Sequence, residues 1–106
     1  MIVTKYNKLV RDKIPEIIEK SGRKAIIEKA SEEAYYMHLN EKLDEERKEY
    51  LSNLRVEELV DLVEVIYAIL EYKNVSIEDF EKMRMEKAAK RGTFKERIIL
   101  KEVIEG

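Results

Sequence analysis

The sequence predicts a mainly α fold: a four-helix bundle with a short two-stranded β element, about 24–30 paired with 98–103. Three observations carry that expectation. Apolar residues recur at three- and four-residue steps through two long segments. Ser31 and Ser76 stand as N-caps ahead of helical patterns. Punctuation is sparse, with one proline and three glycines.

The first helix is expected over about Lys13 to Lys20, with Asp12 as its N-cap, Pro15 in the first turn where a missing N–H costs little, and Ser21-Gly22 at its end. Lys24 to Ala30 is apolar at Ala25, Ile26 and Ile27 and reads as a short strand. Ser31 and the acids after it open a second helix, about Glu32 to Leu51, closed by Ser52-Asn53. The third helix is expected from about Val56 to Tyr72. Ser76, with Asp79 three positions on, opens a fourth that ends near Gly92. Ile98 to Val103 is β-branched at several positions and reads as a closing strand. At 106 residues without repeats or linkers, the chain is expected to form one domain with a limited core.

Charged residues make up 42% of the chain yet nearly cancel, at net −2. No broad field is expected to attract nucleic acid or membranes, so small molecules are the expected partners. Without cysteine there is no disulfide or thiolate chemistry, and the lone His38 cannot build an imidazole metal site. Any metal site must therefore be oxygen-rich. The longest stretch without a charged side chain, Ala34 to Asn40, is far short of a membrane span, and the first residues lack a signal-like apolar run. The expected location is cytoplasmic.

Two acid pairs carry most of the chemical information: Glu46 with Glu49, and Glu58 with Asp61. Each pair is three residues apart, which places both acids on neighbouring positions of one helix face. On the second helix Tyr35, Tyr36, Leu39, Leu43 and Tyr50 form an apolar stripe, and Glu46 falls inside it. Glu49 flanks the stripe, Glu45 lies further round, and Glu41, Asp44 and Lys48 face solvent. A carboxylate facing a core is costly unless paired or metal-bound, so a buried salt bridge and a metal site are both open for Glu46.

The third helix is apolar on two sides, with Leu59, Leu62, Val63, Ile66 and Leu70 on one and Leu54, Val65, Ala68 and Tyr72 on the other. Glu58 and Asp61 belong to the second side, whereas Glu57, Glu64 and Glu71 line a solvated edge. Two acid pairs presented from apolar faces favour a shared cation, because converging carboxylates repel without one. A helix apolar on two sides also predicts a homodimer or larger homo-oligomer, with Tyr67 and Tyr72 as contact residues. On the fourth helix Ile77 and Phe80 begin a face that Arg84, Lys87 and Arg91 continue. These cations complement the helix dipole, and they also suit phosphate oxygens.

Taken together, these residues resemble the all-α nucleoside triphosphate pyrophosphohydrolases, the MazG-like group that also includes phosphoribosyl-ATP pyrophosphohydrolase. The resemblance spans essentially the whole chain. Its signature, a paired Glu, a Glu three positions on, then Glu-x-x-Asp on the next helix, is matched by Glu45, Glu46, Glu49, Glu58 and Asp61. Tyr6 to Pro15, and Lys87 through Arg91-Gly92-Thr93-Phe94, are similar to a small-protein branch of the group. One departure is the short spacer, Tyr50 to Glu57, between the acid pairs.

The resemblance implies Glu46, Glu49, Glu58 and Asp61 as Mg²⁺ ligands, with Mn²⁺ as a substitute. It implies cleavage between the α and β phosphates of a nucleotide, giving a nucleoside monophosphate and pyrophosphate. Glu46 and Glu49 are the candidate catalytic carboxylates, Lys87 and Arg91 hold the phosphates, and Arg84, Lys8 and Arg11 are further substrate-binding candidates. For Lys8 and Arg11 an ion pair that anchors the amino-terminal segment is the competing reading. The expected role is housekeeping of noncanonical or excess (deoxy)nucleoside triphosphates. Phosphoribosyl-ATP hydrolysis in histidine synthesis and a non-catalytic helical interaction module are the alternatives.

Overall fold

Four helices form in the computed structural model, which describes residues 1–106: α1 (Ile14–Lys20), α2 (Glu32–Asn53), α3 (Val56–Tyr72) and α4 (Ile77–Arg91). The chain divides into two units, Met1–Asn74 with α1 to α3 and Val75–Gly106 with α4.

The first unit is built on α2 packed against α3. Ser31 starts α2 as predicted, its hydroxyl accepting a hydrogen bond from the Ala34 N–H at 3.2 Å. Replacing Ser31 by alanine should cost about 1 kcal/mol, read as a lower urea midpoint; an unchanged midpoint would show that the cap adds nothing. The helix runs to Asn53, two residues beyond the expected end. Leu54, left-handed at φ 59°, then reverses the chain, its N–H donating to the Tyr50 carbonyl at 2.6 Å. Asn53 stitches the turn: its side-chain oxygen accepts from the Arg55 N–H at 3.0 Å, and its amide donates to Glu58 Oε1 at 3.2 Å.

The buried apolar side chains are Leu39 of α2 with Val65 and Leu70 of α3. Around them Tyr35, Tyr36, Leu43 and Tyr50 are half-buried, as the predicted stripe requires. At the open end of the hairpin the Tyr36 and Tyr72 rings stack with centroids 4.7 Å apart and planes within 8°, and Tyr35 meets Tyr72 edge-on at 6.1 Å. Tyr72 thus packs its ring on α2 while staying half-buried. Both predicted apolar sides of α3 are partly covered: on one Val65 is buried and Ala68 and Tyr72 half-buried with Leu54 exposed, and on the other Leu70 is buried and Leu62 and Ile66 half-buried. Val56, Leu59, Val60, Val63 and Tyr67 remain exposed along the outer side.

The amino-terminal segment leads into α1 through Asn7, left-handed at φ 48°. The Ile14 N–H donates to the Arg11 carbonyl at 3.0 Å, and this turn, rather than the Asp12 side chain, starts the helix. Lys13 is the N-cap residue and makes no side-chain cap, which corrects the expected Asp12 cap.

The expected β element does not form. Ile26 and Ile27 in one segment, and Ile98, Ile99, Leu100 and Val103 in the other, are exposed without ladder partners. β-Branched composition favours extended backbone, but a strand needs a neighbour to take its N–H and C=O groups.

In the second unit Ser76 caps α4 by accepting from the Asp79 N–H at 3.0 Å, and Gly92, at φ 84° and ψ 178°, ends the helix in an extended positive-φ conformation that favours glycine. Glu78 and Asp79 in the first turn, with Lys90 and Arg91 in the last, complement the helix dipole.

Candidate metal centre

Because α2 and α3 fold back on each other, acids on their facing sides converge near the turn. One carboxylate oxygen from each of Glu46, Glu58 and Asp61 lies within 4.8 Å of the other two. Glu46, with 9% of its surface exposed, is the most buried charged residue of the chain, while Glu58 and Asp61 are half-buried. Three of the four predicted ligands are thus brought together. Glu49, one turn further along α2, is exposed and stands outside the set.

Each carboxylate of the cluster has one local partner. Lys42 Nζ stands 3.5 Å from Glu46 Oε1, Asn53 donates to Glu58, and Arg11 Nη2 donates to Asp61 Oδ1 at 2.6 Å. Burial pushes the Glu46 carboxyl up from its ordinary range; Lys42 opposes this, while the charges of Asp61 and Glu45 add to it. A carboxylate kept inward under such a penalty can be stabilised by a cation at the cluster.

The donor set suits a hard divalent cation. All three groups offer carboxylate oxygens, and no thiolate or imidazole competes. Oxygens around Mg²⁺ stand roughly 3–4 Å apart, so a cluster already within 4.8 Å needs only small side-chain adjustment.

Of the cations assigned to substrate, Lys8 and Arg11 reach the acids of this unit. Lys8 Nζ donates to Glu45 Oε1 at 2.9 Å, and Lys42 Nζ approaches Glu45 Oε2 at 3.4 Å. The hydrogen bond from Lys8 holds the Glu45 carboxyl below its usual range, and the same bond raises the Lys8 ammonium. Glu45, read from the sequence as lying away from the stripe, is half-buried and anchors the amino-terminal segment. In the second unit Arg84 pairs with Glu81 on its own helix, whereas Lys87 and Arg91 are exposed and make no ion pair.

Sequence reasoning missed Lys42 and Asn53. Lys42 precedes Glu46 by four residues, a spacing that brings side chains together on a helix and was the available signal. Asn53 looked only like a helix breaker. At the opposite end of the hairpin, Glu32, Tyr35, Glu71, Tyr72 and Asn74 line an open cleft of about 480 Å³. Along α2 it lies about 16 Å from Glu46, too far to share ligands with the acid cluster.

Comparison with known proteins adds sequence likeness without a function. No family model matches the chain, and no solved structure matches it. An uncharacterised protein of Mycolicibacterium smegmatis is 53% identical over 38 residues, which make up 36% of this chain and 39% of that protein.

Proposed function

We propose that the chain is a Mg²⁺-dependent nucleoside triphosphate pyrophosphohydrolase of the MazG-like type, cleaving between the α and β phosphates to give a nucleoside monophosphate and pyrophosphate. The observation that carries the reading is the convergence of Glu46, Glu58 and Asp61 with Glu46 buried. When bound, the metal supplies charge neutralisation of the triphosphate and acidifies a water. Glu46, Glu58 and Asp61 are its proposed holders, and Glu49, outside that set, is the carboxylate left to accept the water's proton. Lys87 and Arg91 enter as phosphate-binding cations on sequence grounds alone. The proposed role is removal of noncanonical or excess (deoxy)nucleoside triphosphates.

Self-association belongs to the same reading. Val56, Leu59, Val60, Val63 and Tyr67 recur at helical spacing as an exposed apolar stripe on α3, the kind of surface that another copy covers. No helix is long and apolar enough to cross a membrane.

The direct test is pyrophosphate release from a panel of canonical and modified (deoxy)nucleoside triphosphates, with phosphoribosyl-ATP included, in Mg²⁺ and in EDTA. Mg²⁺-dependent release of pyrophosphate with the matching monophosphate is expected. Turnover of phosphoribosyl-ATP alone would move the assignment to histidine synthesis, and no turnover of any compound would leave the helical interaction module.

A further inference from the structure

The amino-terminal segment is tied across the hairpin at two points: Lys8 holds Glu45 on α2, and Arg11 holds Asp61 on α3. The two contacts differ in what they occupy. Glu45 is outside the carboxylate cluster, so the Lys8 contact leaves the cluster free. Asp61 is a member, so Arg11 places a guanidinium on one of the carboxylates that make up the candidate cation site.

The Arg11 contact is also built for exchange. Its partners are open to solvent, at 50% exposure for the Arg11 side chain and 42% for Asp61, so the pair is only weakly held against competitors. Meanwhile the Arg11 backbone is fixed, because its carbonyl accepts the first hydrogen bond leading into α1. The side chain can swing while its base stays beside the cluster. A guanidinium released there is a fork of donors suited to phosphate oxygens.

We propose that Arg11 is a hand-over residue. Its guanidinium neutralises Asp61 while the cluster carries no divalent ion, and it passes to the substrate's phosphate oxygens when Asp61 turns to the metal. Lys8 on Glu45 keeps the segment in place throughout. This inference rests on the metal reading above and adds an order of events to it. It also removes the choice between an anchoring and a substrate-binding Arg11, since one side chain does each in turn.

The hand-over predicts effects of opposite sign from a single substitution. In Arg11→Gln, a competitor and a like charge are removed from the cluster, so Mn²⁺ alone should bind severalfold more tightly than to the wild type. The same variant should bind an α,β-methylene nucleoside triphosphate in Mg²⁺ about tenfold more weakly, because a charge-assisted phosphate contact is lost. Arg11→Lys, which keeps the charge without the fork, should fall between the two on both measurements. The full-length chain is titrated with Mn²⁺ by electron paramagnetic resonance and with the analogue by calorimetry. A purely anchoring Arg11 would not weaken the analogue, and a purely substrate-binding one would not change Mn²⁺ affinity. Either result, or both affinities moving in the same direction, overturns the hand-over while leaving the metal reading intact. A wild-type chain that binds no Mn²⁺ takes both down together.

Discussion

Glu46→Gln is expected to reduce Mg²⁺-dependent pyrophosphate release by about 10²-fold or more while leaving the helices in place. Glutamine keeps the shape of the side chain and one oxygen but removes the charge, and Glu46 is the only cluster member buried on the α2 side. The substitution should not harm the metal-free fold. A carboxylate with a 12% exposed side chain, with Lys42 at 3.5 Å, carries a desolvation cost that a neutral amide reduces. Thermal melts in EDTA should therefore place Glu46→Gln at or above the wild type. Adding Mg²⁺ should raise the wild-type midpoint, because a ligand that binds only the folded state stabilises it, and should leave the variant almost unmoved. Glu49→Gln separates the two roles: its midpoint should still respond to Mg²⁺ while its turnover falls. Retained activity in Glu46→Gln would remove Glu46 from the site, and a large loss of stability in EDTA would make it a structural ion-pair partner of Lys42.

The helices were legible because their signals are local. Ser31 and Ser76 each satisfy an N–H of the following turn, and α3 spans Val56–Tyr72 as predicted. The end of α2 was less legible, because Ser52-Asn53 reads as a breaker while the actual stop depends on Leu54 adopting a left-handed conformation and on Asn53 bonding across the turn. The expected strands show the opposite problem. Ile26-Ile27 and Ile98-Ile99 have suitable side chains, but pairing is a non-local property that composition does not supply. At the site, the apolar stripe correctly placed Glu46 inward, since burial follows helical period. It could not exclude Glu49 from the cluster: two acids on neighbouring positions of a face differ in depth by an amount that only the partner helix decides. That Lys8 and Arg11 can anchor the amino-terminal segment by ion pairs was legible, but their partners, Glu45 and Asp61, needed the path of that segment, which no periodicity encodes.

Leu39→Ala should be the most destabilising of the single substitutions considered, lowering unfolding free energy by about 2–5 kcal/mol, read from the urea midpoint at fixed protein concentration. Leu39 is 2% exposed and sits on the α2 stripe between Tyr35-Tyr36 and Leu43. The other buried apolar residues, Val65 and Leu70, both come from α3, so Leu39 is the buried apolar contribution of α2 to the hairpin. Few neighbours are deep enough to close over the lost volume, and a small domain has only about 5–15 kcal/mol to lose. The loss should also reach the metal centre, because the packing of α2 on α3 sets the spacing of Glu46 from Glu58 and Asp61. Mn²⁺ affinity should fall in Leu39→Ala at temperatures where the far-ultraviolet spectrum is still native. Val60→Ala supplies the contrast. At 60% exposure on the outer side of α3 it should change stability by no more than about 0.5 kcal/mol in a lone protomer. A larger cost that shrinks as the protein is diluted would place that stripe in an interface between copies, since dilution separates the copies and removes the interface from wild type and variant alike. An unchanged midpoint in Leu39→Ala would mean that stability resides outside the α2–α3 hairpin, and the acid cluster would lose the rigid support that the metal reading requires.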